Sequence, residues 1–395
     1  VLKEMSKSIE LPGDKSISHR VAMIASLADN VCSIQNYNSG ADCRSTLRCL
    51  EQLETGIEGK LSIKPHPLKI PENDLDCGNS GSTIRMLTGL LAGQQIPARL
   101  TGDSSLLKRP MKRVADPLRE MGAVLELTDH NYPPIHLFEG AKRAIEYTMP
   151  MSSAQVKTAI MFAGLQFEGT HVIEQVPSRD HTERLFEHLQ IQPGPAVKIP
   201  SFSYNVPGDP SSAAFLVVAA LLHNRELILW NVLLNAHRIG FLNVLRRAGA
   251  PISIVEERIQ QNEHVGEIQV KPGGLKERLV IKADEVAGLI DEIPALTMAG
   301  LSHGFEVHGA NELRIKESDR IQSMVYNLQN AGLVVREWED GFSVMPGDPK
   351  LATAKTFGDH RIAMAFAASG IPIDNQECVS ISFPEFFNLL NEVIT

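Results

Sequence analysis

At 395 residues the chain is too long for one comfortable core, so two domains are the first expectation. Its 43% hydrophobic and 22% charged residues are ordinary for a soluble globular enzyme, and a net charge of -9 argues against a general nucleic-acid or acidic-membrane binder. Any anionic ligand must therefore be met by a local cationic cluster. Five cysteines (Cys32, Cys43, Cys49, Cys77, Cys378), odd in number and without C-x-x-C spacing, read as free thiols in a reducing compartment rather than as zinc ligands or a disulfide framework. No run approaches the roughly 18 apolar residues of a membrane span, and no basic-then-apolar signal segment opens the chain, so a cytoplasmic protein is expected.

The first informative stretch is Leu11–Ala28, LPGDKSISHRVAMIASLA. Pro12-Gly13-Asp14 is a turn, Ser16 is a candidate N-cap, and Ile17, Val21, Ile24 and Ala28 form one apolar helical face. Lys15 and Arg20 then stand at the positive end of the helix dipole. That placement is unfavourable unless an anion is cradled there. VPGDPSSAAFLVVAALL (206–222) repeats the turn and the apolar helix. A second repeat, a helix end followed by Gly and a strand-like run, occurs as LEQLETGIE (50–58), LREMGAVLEL (118–127), LRRAGAPISI (245–254) and LQNAGLVVREW (328–338). LFEHLQIQ (185–192) is a copy without the Gly. The Gly suits a left-handed helix C-cap. Each repeat reads as a small α/β unit, with about three per half building two similar domains.

Further clusters carry the pattern of small or hydroxyl residues with cations at helix starts. Cys77–Arg85 (CGNSGSTIR) places Arg85 in a first turn and lets a ligand approach its glycines, but its spacing is not that of a P-loop. In Thr101–Met111, Pro110 at N1 would leave Arg109 near an N-cap, whereas Lys112 and Arg113 read as surface charge. Ser152-Ser153-Ala154-Gln155 opens a helix, and so does Ser178-Arg179-Asp180-His181. In RIKESDR (314–320), Lys316, Glu317 and Arg320 are expected on one side of a first helical turn. Gly358-Asp359-His360-Arg361 opens an almost wholly apolar helix, so Arg361 at its mouth needs a partner. Ion pairs of Arg361 with Asp359 and of Arg320 with Glu317 are the structural alternative.

Together these motifs resemble the 5-enolpyruvylshikimate-3-phosphate synthase family. PGDKSISHR, GNSGSTIR, TGDSSLLKRPM, SSAQVKTA, PSRDHTE, LIDEIPAL, RIKESDR, GDHRIAMA and FPEF occur in order over nearly the whole chain. The resemblance implies two similar inside-out α/β domains, each of three βαβαββ-like units, with the active site in the interdomain cleft. Domain 1 would comprise residues 1–13 and 206–395, and domain 2 residues 14–205, with hinges near Gly13 and Val206 and closure on binding. The implied reaction joins shikimate 3-phosphate to phosphoenolpyruvate and releases phosphate by addition and elimination, with a general base, a general acid, no cofactor and no metal. Lys15, Ser16 and Arg20 would hold the shikimate substrate, Lys15 also reaching phosphoenolpyruvate. Ser153, Ala154 (through its backbone), Gln155 and Ser178 or Arg179 would complete that site. Asn79, Gly81, Arg109, Arg320 and Arg361 would hold phosphoenolpyruvate, with Gln155 shared and Arg85 among the binding set. Asp291 would take the hydroxyl proton and Glu317 would act in protonation at C3 beside Lys316, although which of Lys15, Asp291 and Glu317 moves each proton stays open.

The implied partners are the two substrates and the inhibitor glyphosate, which Gly81 would admit, with no nucleic acid, no membrane and a monomeric state. Two departures stand out. Val379-Ser380-Ile381-Ser382 lacks the Lys that many members carry before FP, with Lys355 a candidate replacement, and Glu312 stands where Asn is common. The alternatives are a non-catalytic binder of anionic metabolites and a UDP-N-acetylglucosamine enolpyruvyl transferase. The latter's Lys-Asn and catalytic-loop Cys find no match here.

Overall fold

Inward-facing apolar helices and outward-facing sheets make up this protein, in a computed structural model that describes residues 8–59 and 61–395. Residues 1–7, assigned above to the first domain, lie outside the described residues. The chain forms two units: the described residues up to Pro12 with Pro207–Thr395, and Gly13–Val206.

The recurring sequence unit folds as β-α-β-α-β-β. In Gly13–Val206, the parallel strands Leu75–Asp76 and Ala98–Thr101 are linked by helix Gly81–Gly93. Helix Lys112–Glu120 and the hairpin Val124–Thr128/Tyr132–Glu139 follow, the hairpin adding its second strand antiparallel to Ala98–Thr101. In the other unit, Leu279–Ile281, Phe305–Val307, Gly341–Val344 and Val335–Trp338 form a sheet of the same spatial order. Two more sheets share this order but take their first strand from elsewhere. Ser8–Glu10 lies beside Leu227–Leu233 in one unit, and Ser203–Asn205 beside Cys32–Gln35 in the other.

The third copy is reduced in both units. Glu146–Thr148 and His171–Ile173 form only a two-stranded parallel sheet, and the prolines in Gln190–Pro200 (QIQPGPAVKIP) deny a hairpin its backbone donors. The last segment ends instead in the amphipathic helix Phe386–Ile394.

Of the expected left-handed glycines, Gly122, Gly249 and Gly332 have positive φ, but Gly56 does not: it lies in strand Gly56–Glu58, and Glu54 takes the left-handed position. In the Gly-less copy Gln190 does the same, with φ 55°. Burial explains the layering. Residues 210–221 of helix Pro210–Leu222 and all of Ile293–Gly300 are buried, while strands such as Cys32–Gln35 alternate buried and exposed. No helix among the described residues is long and apolar enough to cross a membrane.

Candidate active site

In the unit Gly13–Val206 the predicted cations gather where helices begin. Asp14, not Ser16, caps helix Lys15–Ala25, accepting the Ile17 N–H at 2.8 Å. A carboxylate there satisfies an orphan donor and answers the helix dipole, which a hydroxyl does only weakly. Ser16 therefore lies inside the first turn. Lys15 pairs with Asp42 at 2.9 Å. Arg20, 2% exposed, ties three helix starts together: Nη1 reaches Ser16 O at 2.7 Å, Nη2 reaches Ala154 O at 3.2 Å and Thr158 Oγ1 at 2.8 Å, and Nε reaches Thr182 Oγ1 at 2.8 Å. Arg179 Nη1 donates to Ser16 Oγ at 3.2 Å. Below them, a chain from His19 Nδ1 through Thr46 and Thr83 reaches Ser80, the N-cap of helix Gly81–Gly93. Burial first, then Lys15 and Arg20, hold the His19 imidazole well below its usual pKa, so it is neutral.

The second helix start is braced from the side. Arg85 Nη1 donates to Gln155 Oε1 at 2.8 Å while Gln155 Nε2 donates to Ser82 Oγ at 2.8 Å, which fixes the orientation of the Gln155 amide. Arg109 Nη2 donates to Asn79 Oδ1, and Asn79 Nδ2 to Asp103 Oδ2, each at 2.8 Å. Gly81 admits these cations closely, since a Cβ there would lie 2.7 Å from Arg85 Nη1 and 3.5 Å from Arg109 Nη1. The expected Pro110 at N1 is not observed. Helix Lys112–Glu120 begins after Met111, and Arg109 is extended behind the turn Leu106–Lys108, which Asp103 caps through two backbone N–H groups. Ser153 caps helix Ala154–Ala163 as expected, and Ser178 and Arg179 precede helix His181–His188.

In the other unit, Arg320 is the centre. Its Nε lies 2.8 Å from Asp359 Oδ2, Nη1 3.3 Å from Asp291 Oδ1 and Nη2 2.6 Å from Glu317 Oε2, with only 1% of the residue exposed. These carboxylates raise its pKa against the opposing effect of burial. Lys316 Nζ stands 4.0 Å from Asp291 Oδ1. Lys316 and Glu317 do not share a helical turn with Arg320, however. Asp319 caps helix Arg320–Asn330, leaving both in the segment before it, and Arg314 holds that segment to Asp319 and Glu337 at 2.9 Å each.

Of the two ion pairs that were the structural alternative, Arg320–Glu317 forms and Arg361–Asp359 does not. Asp359 accepts from the Arg361 backbone N–H and from Arg320, while the buried Arg361 guanidinium lies 5.6 Å over the Phe215 ring, its Nε without a hydrogen-bond partner. Glu292 is not a surface carboxylate. It is 1% exposed and bonded to Ser211 Oγ, and burial, then Asp291, push its pKa up. Arg238, unnoticed in the sequence, is 2% exposed with Nη2 3.1 Å from both Asp209 Oδ1 and Ser211 Oγ. Lys355 turns to the Tyr326 ring, its Nζ 5.2 Å from the ring centre, whereas Ser382 Oγ is buried without a partner. Glu312 lies in the turn Asn311–Ile315. All five cysteines are buried, and burial pushes the Cys77 thiol up, which suits no thiolate chemistry. No group of metal-ligating side chains occurs among the described residues.

Comparison with known proteins places the chain in a family. The family described as EPSP synthase (3-phosphoshikimate 1-carboxyvinyltransferase) matches residues 2–390. The 3-phosphoshikimate 1-carboxyvinyltransferase of Solibacter usitatus is 44% identical, with 98% of this chain and 96% of that protein covered. That of Koribacter versatilis is 41% identical over the same shares. The EPSP synthase structure from Acinetobacter baumannii superposes with a TM-score of 0.85 at 36% identity, covering 98% of this chain and 95% of that one. With a family match over nearly its whole length and full-length relatives at this identity, the chain belongs to the EPSP synthase family.

Proposed function

We infer that this chain transfers the enolpyruvyl group of phosphoenolpyruvate to the 5-hydroxyl of shikimate 3-phosphate and releases inorganic phosphate. The observation that carries the reading is the sharing of one buried guanidinium, that of Arg320, by Asp291 and Glu317. A protein that only bound anionic metabolites would weaken its grip by setting carboxylates among its cations. Addition and elimination need them, because one group must take the hydroxyl proton while another serves protonation at C3.

In this reading Asp291 is the base, being more exposed than the buried, Ser211-bonded Glu292, and Glu317 works at C3 beside Lys316. As the hydroxyl oxygen bonds to C2, C3 gains a proton; the resulting tetrahedral intermediate then expels phosphate and regenerates the double bond as C3 loses a proton. Lys15, Ser16, Ser153, the Ala154 backbone, Gln155, Ser178 and Arg179 hold shikimate 3-phosphate. Arg20 supports them by fixing the helix starts at Ser16 and Ala154. Asn79, Gly81, Arg109, Arg320 and Arg361 hold phosphoenolpyruvate, with Arg85 orienting the shared Gln155. The unpartnered Nε of Arg361 suits a phosphate or carboxylate oxygen. Glyphosate would compete with phosphoenolpyruvate, and the enzyme would act as a cytoplasmic monomer without nucleic acid.

Phosphate release is measured with the substrates together and separately, in EDTA. Release that requires both and ignores the chelator is expected. No release, with tight binding of either substrate, would overturn catalysis in favour of a binder. Release with UDP-N-acetylglucosamine as acceptor instead would assign the other transferase. Glyphosate at millimolar concentration should inhibit when phosphoenolpyruvate is at its KM.

A further inference from the structure

Beneath the segment that carries Ser178 and Arg179 lies a charge cluster, built on a buried lysine, for which the roles above have no use. Lys157, in helix Ala154–Ala163, is 5% exposed, with Nζ 2.8 Å from Glu174 Oε2 and 2.6 Å from Glu183 Oε1. Glu174 follows strand His171–Ile173, and Glu183 stands in the first turn of helix His181–His188. One ammonium thus clamps both ends of the loop between them. The same Glu174 Oε2 accepts the backbone N–H of Ser178 at 3.1 Å. Between Glu174 and the helix the chain has no regular structure of its own.

A buried ion pair is a poor source of net stability, because desolvation offsets most of its attraction. What it supplies is a fixed geometry. Burial raises the Glu174 pKa, but the bonds from Lys157 and Ser178 outweigh it, so the carboxylate stays charged as an acceptor. The Ser178 hydroxyl is buried and lies beside the same Glu174 carboxylate without a well-formed hydrogen bond to it. Arg179, the next residue, reaches Ser16 Oγ.

We propose that Lys157 and Glu174 are a positioning pair that presents Ser178 and Arg179 to the phosphate of shikimate 3-phosphate. This rests on the assignment of Ser178 and Arg179 to that substrate. Glu174 holds the Ser178 backbone N–H and lies beside its hydroxyl, which turns to donate to a phosphate oxygen when the substrate binds, and Lys157 holds Glu174. Neither side chain touches the ligand.

The test is calorimetric titration of the full-length protein with shikimate 3-phosphate, together with the KM for phosphoenolpyruvate and the melting temperature of each variant. Glu174→Ala should weaken shikimate 3-phosphate at least tenfold and leave the phosphoenolpyruvate KM within twofold. Glu174→Gln, whose amide oxygen can still accept the Ser178 N–H, should recover most of that loss. Lys157→Met should resemble Glu174→Ala, and Arg179→Ala serves as the control for the assignment. If Arg179→Ala weakens binding tenfold and Glu174→Ala does not, the positioning role is wrong and the assignment stands. Equal loss of both substrates with a lowered melting temperature would make the cluster merely structural and overturns the proposal. Unchanged affinity in both variants would remove the assignment as well.

Discussion

Helix Gly81–Gly93 meets helix Ala154–Ala163 at Gly89, backbone against backbone. A Cβ there would lie 2.1 Å from Ala159 O, 2.5 Å from its Cα and 2.6 Å from its carbonyl carbon. None of these atoms can rotate aside. Restoring ordinary contact at 3.4 Å requires the helices to separate by 3.4 − 2.1 = 1.3 Å. Overpacking of a core typically costs about 1–3 kcal/mol, and a rigid backbone neighbour puts Gly89→Ala near the top of that range. The helix propensity of Ala returns about 1 kcal/mol. The net is roughly 2 kcal/mol, which for a unit of roughly 200 residues lowers its melting temperature by about 4–8 °C.

The effect extends to the site, because Arg85 and Gln155 each stand one turn before the contact and are bonded to each other at 2.8 Å. Hydrogen bonds to charged groups contribute about 1.5–3 kcal/mol, so stretching this one should raise the KM for phosphoenolpyruvate by about tenfold. Scanning calorimetry reads the first effect and phosphate release the second. A Gly89→Ala protein with the parent's melting temperature and KM refutes the argument.

Asp291→Asn should lower kcat by about 10²–10⁴ with both KM values within a few-fold, as expected for a general base held by Arg320. An unchanged kcat in the phosphate-release assay removes Asp291 from that role. Glu292→Gln should raise the melting temperature at neutral pH. Because burial and Asp291 raise the folded-state pKa of Glu292, its contribution to stability is present below the ordinary carboxylate pKa and lost as pH climbs through the raised one. The gain from Glu292→Gln should therefore vanish in acid, and a gain independent of pH between 4 and 8 contradicts the sign. Gly81→Ala meets only side-chain ends, those of Arg85 and Arg109, and no backbone, so its melting temperature should stay within about 2 °C of the parent's, consistent with less than about 1 kcal/mol. Its phosphoenolpyruvate KM should rise several-fold and its glyphosate inhibition constant further, and equal values in parent and variant would defeat the close-approach argument.

What could be read from the sequence was local. The Pro-Gly-Asp turns, the Ser153 cap and the buried helix His360–Ala368 each follow from signals within one helical turn. Even there Asp14 displaced Ser16 as the cap, since periodicity locates a helix start only to within a residue or two. The partners of the site residues were not legible. Asp42 opens helix Ala41–Gln52 as any acidic residue favoured by the dipole might, and nothing in its neighbourhood marks it as the partner of Lys15. Arg238 and Lys157 were invisible for the same reason: an apolar pattern shows which face is covered, not which charge waits across from it. Five copies of the repeat were readable, but the borrowing of first strands was not, because pairing across some 170–220 residues leaves no periodic trace.

That borrowing bears on the order in which the chain can fold during synthesis. The segment Gly13–Val206 contains every strand of its own sheets, so it can complete itself once Ser203–Asn205 has emerged. Ser8–Glu10, made first, must wait for Leu227–Leu233, with the whole of the finished unit lying between them in the chain. Closing so long an intervening loop slows assembly of the first-made strand while adding only logarithmically to its cost. Where the chain leaves and returns, Pro12 O accepts the Asp209 N–H at 3.0 Å, so the two ends of the excursion are side by side. A gene in which the codon for Pro12 is joined directly to that for Pro207 should therefore encode a continuous half-protein, with the missing half supplied as a separate chain of residues 13–206.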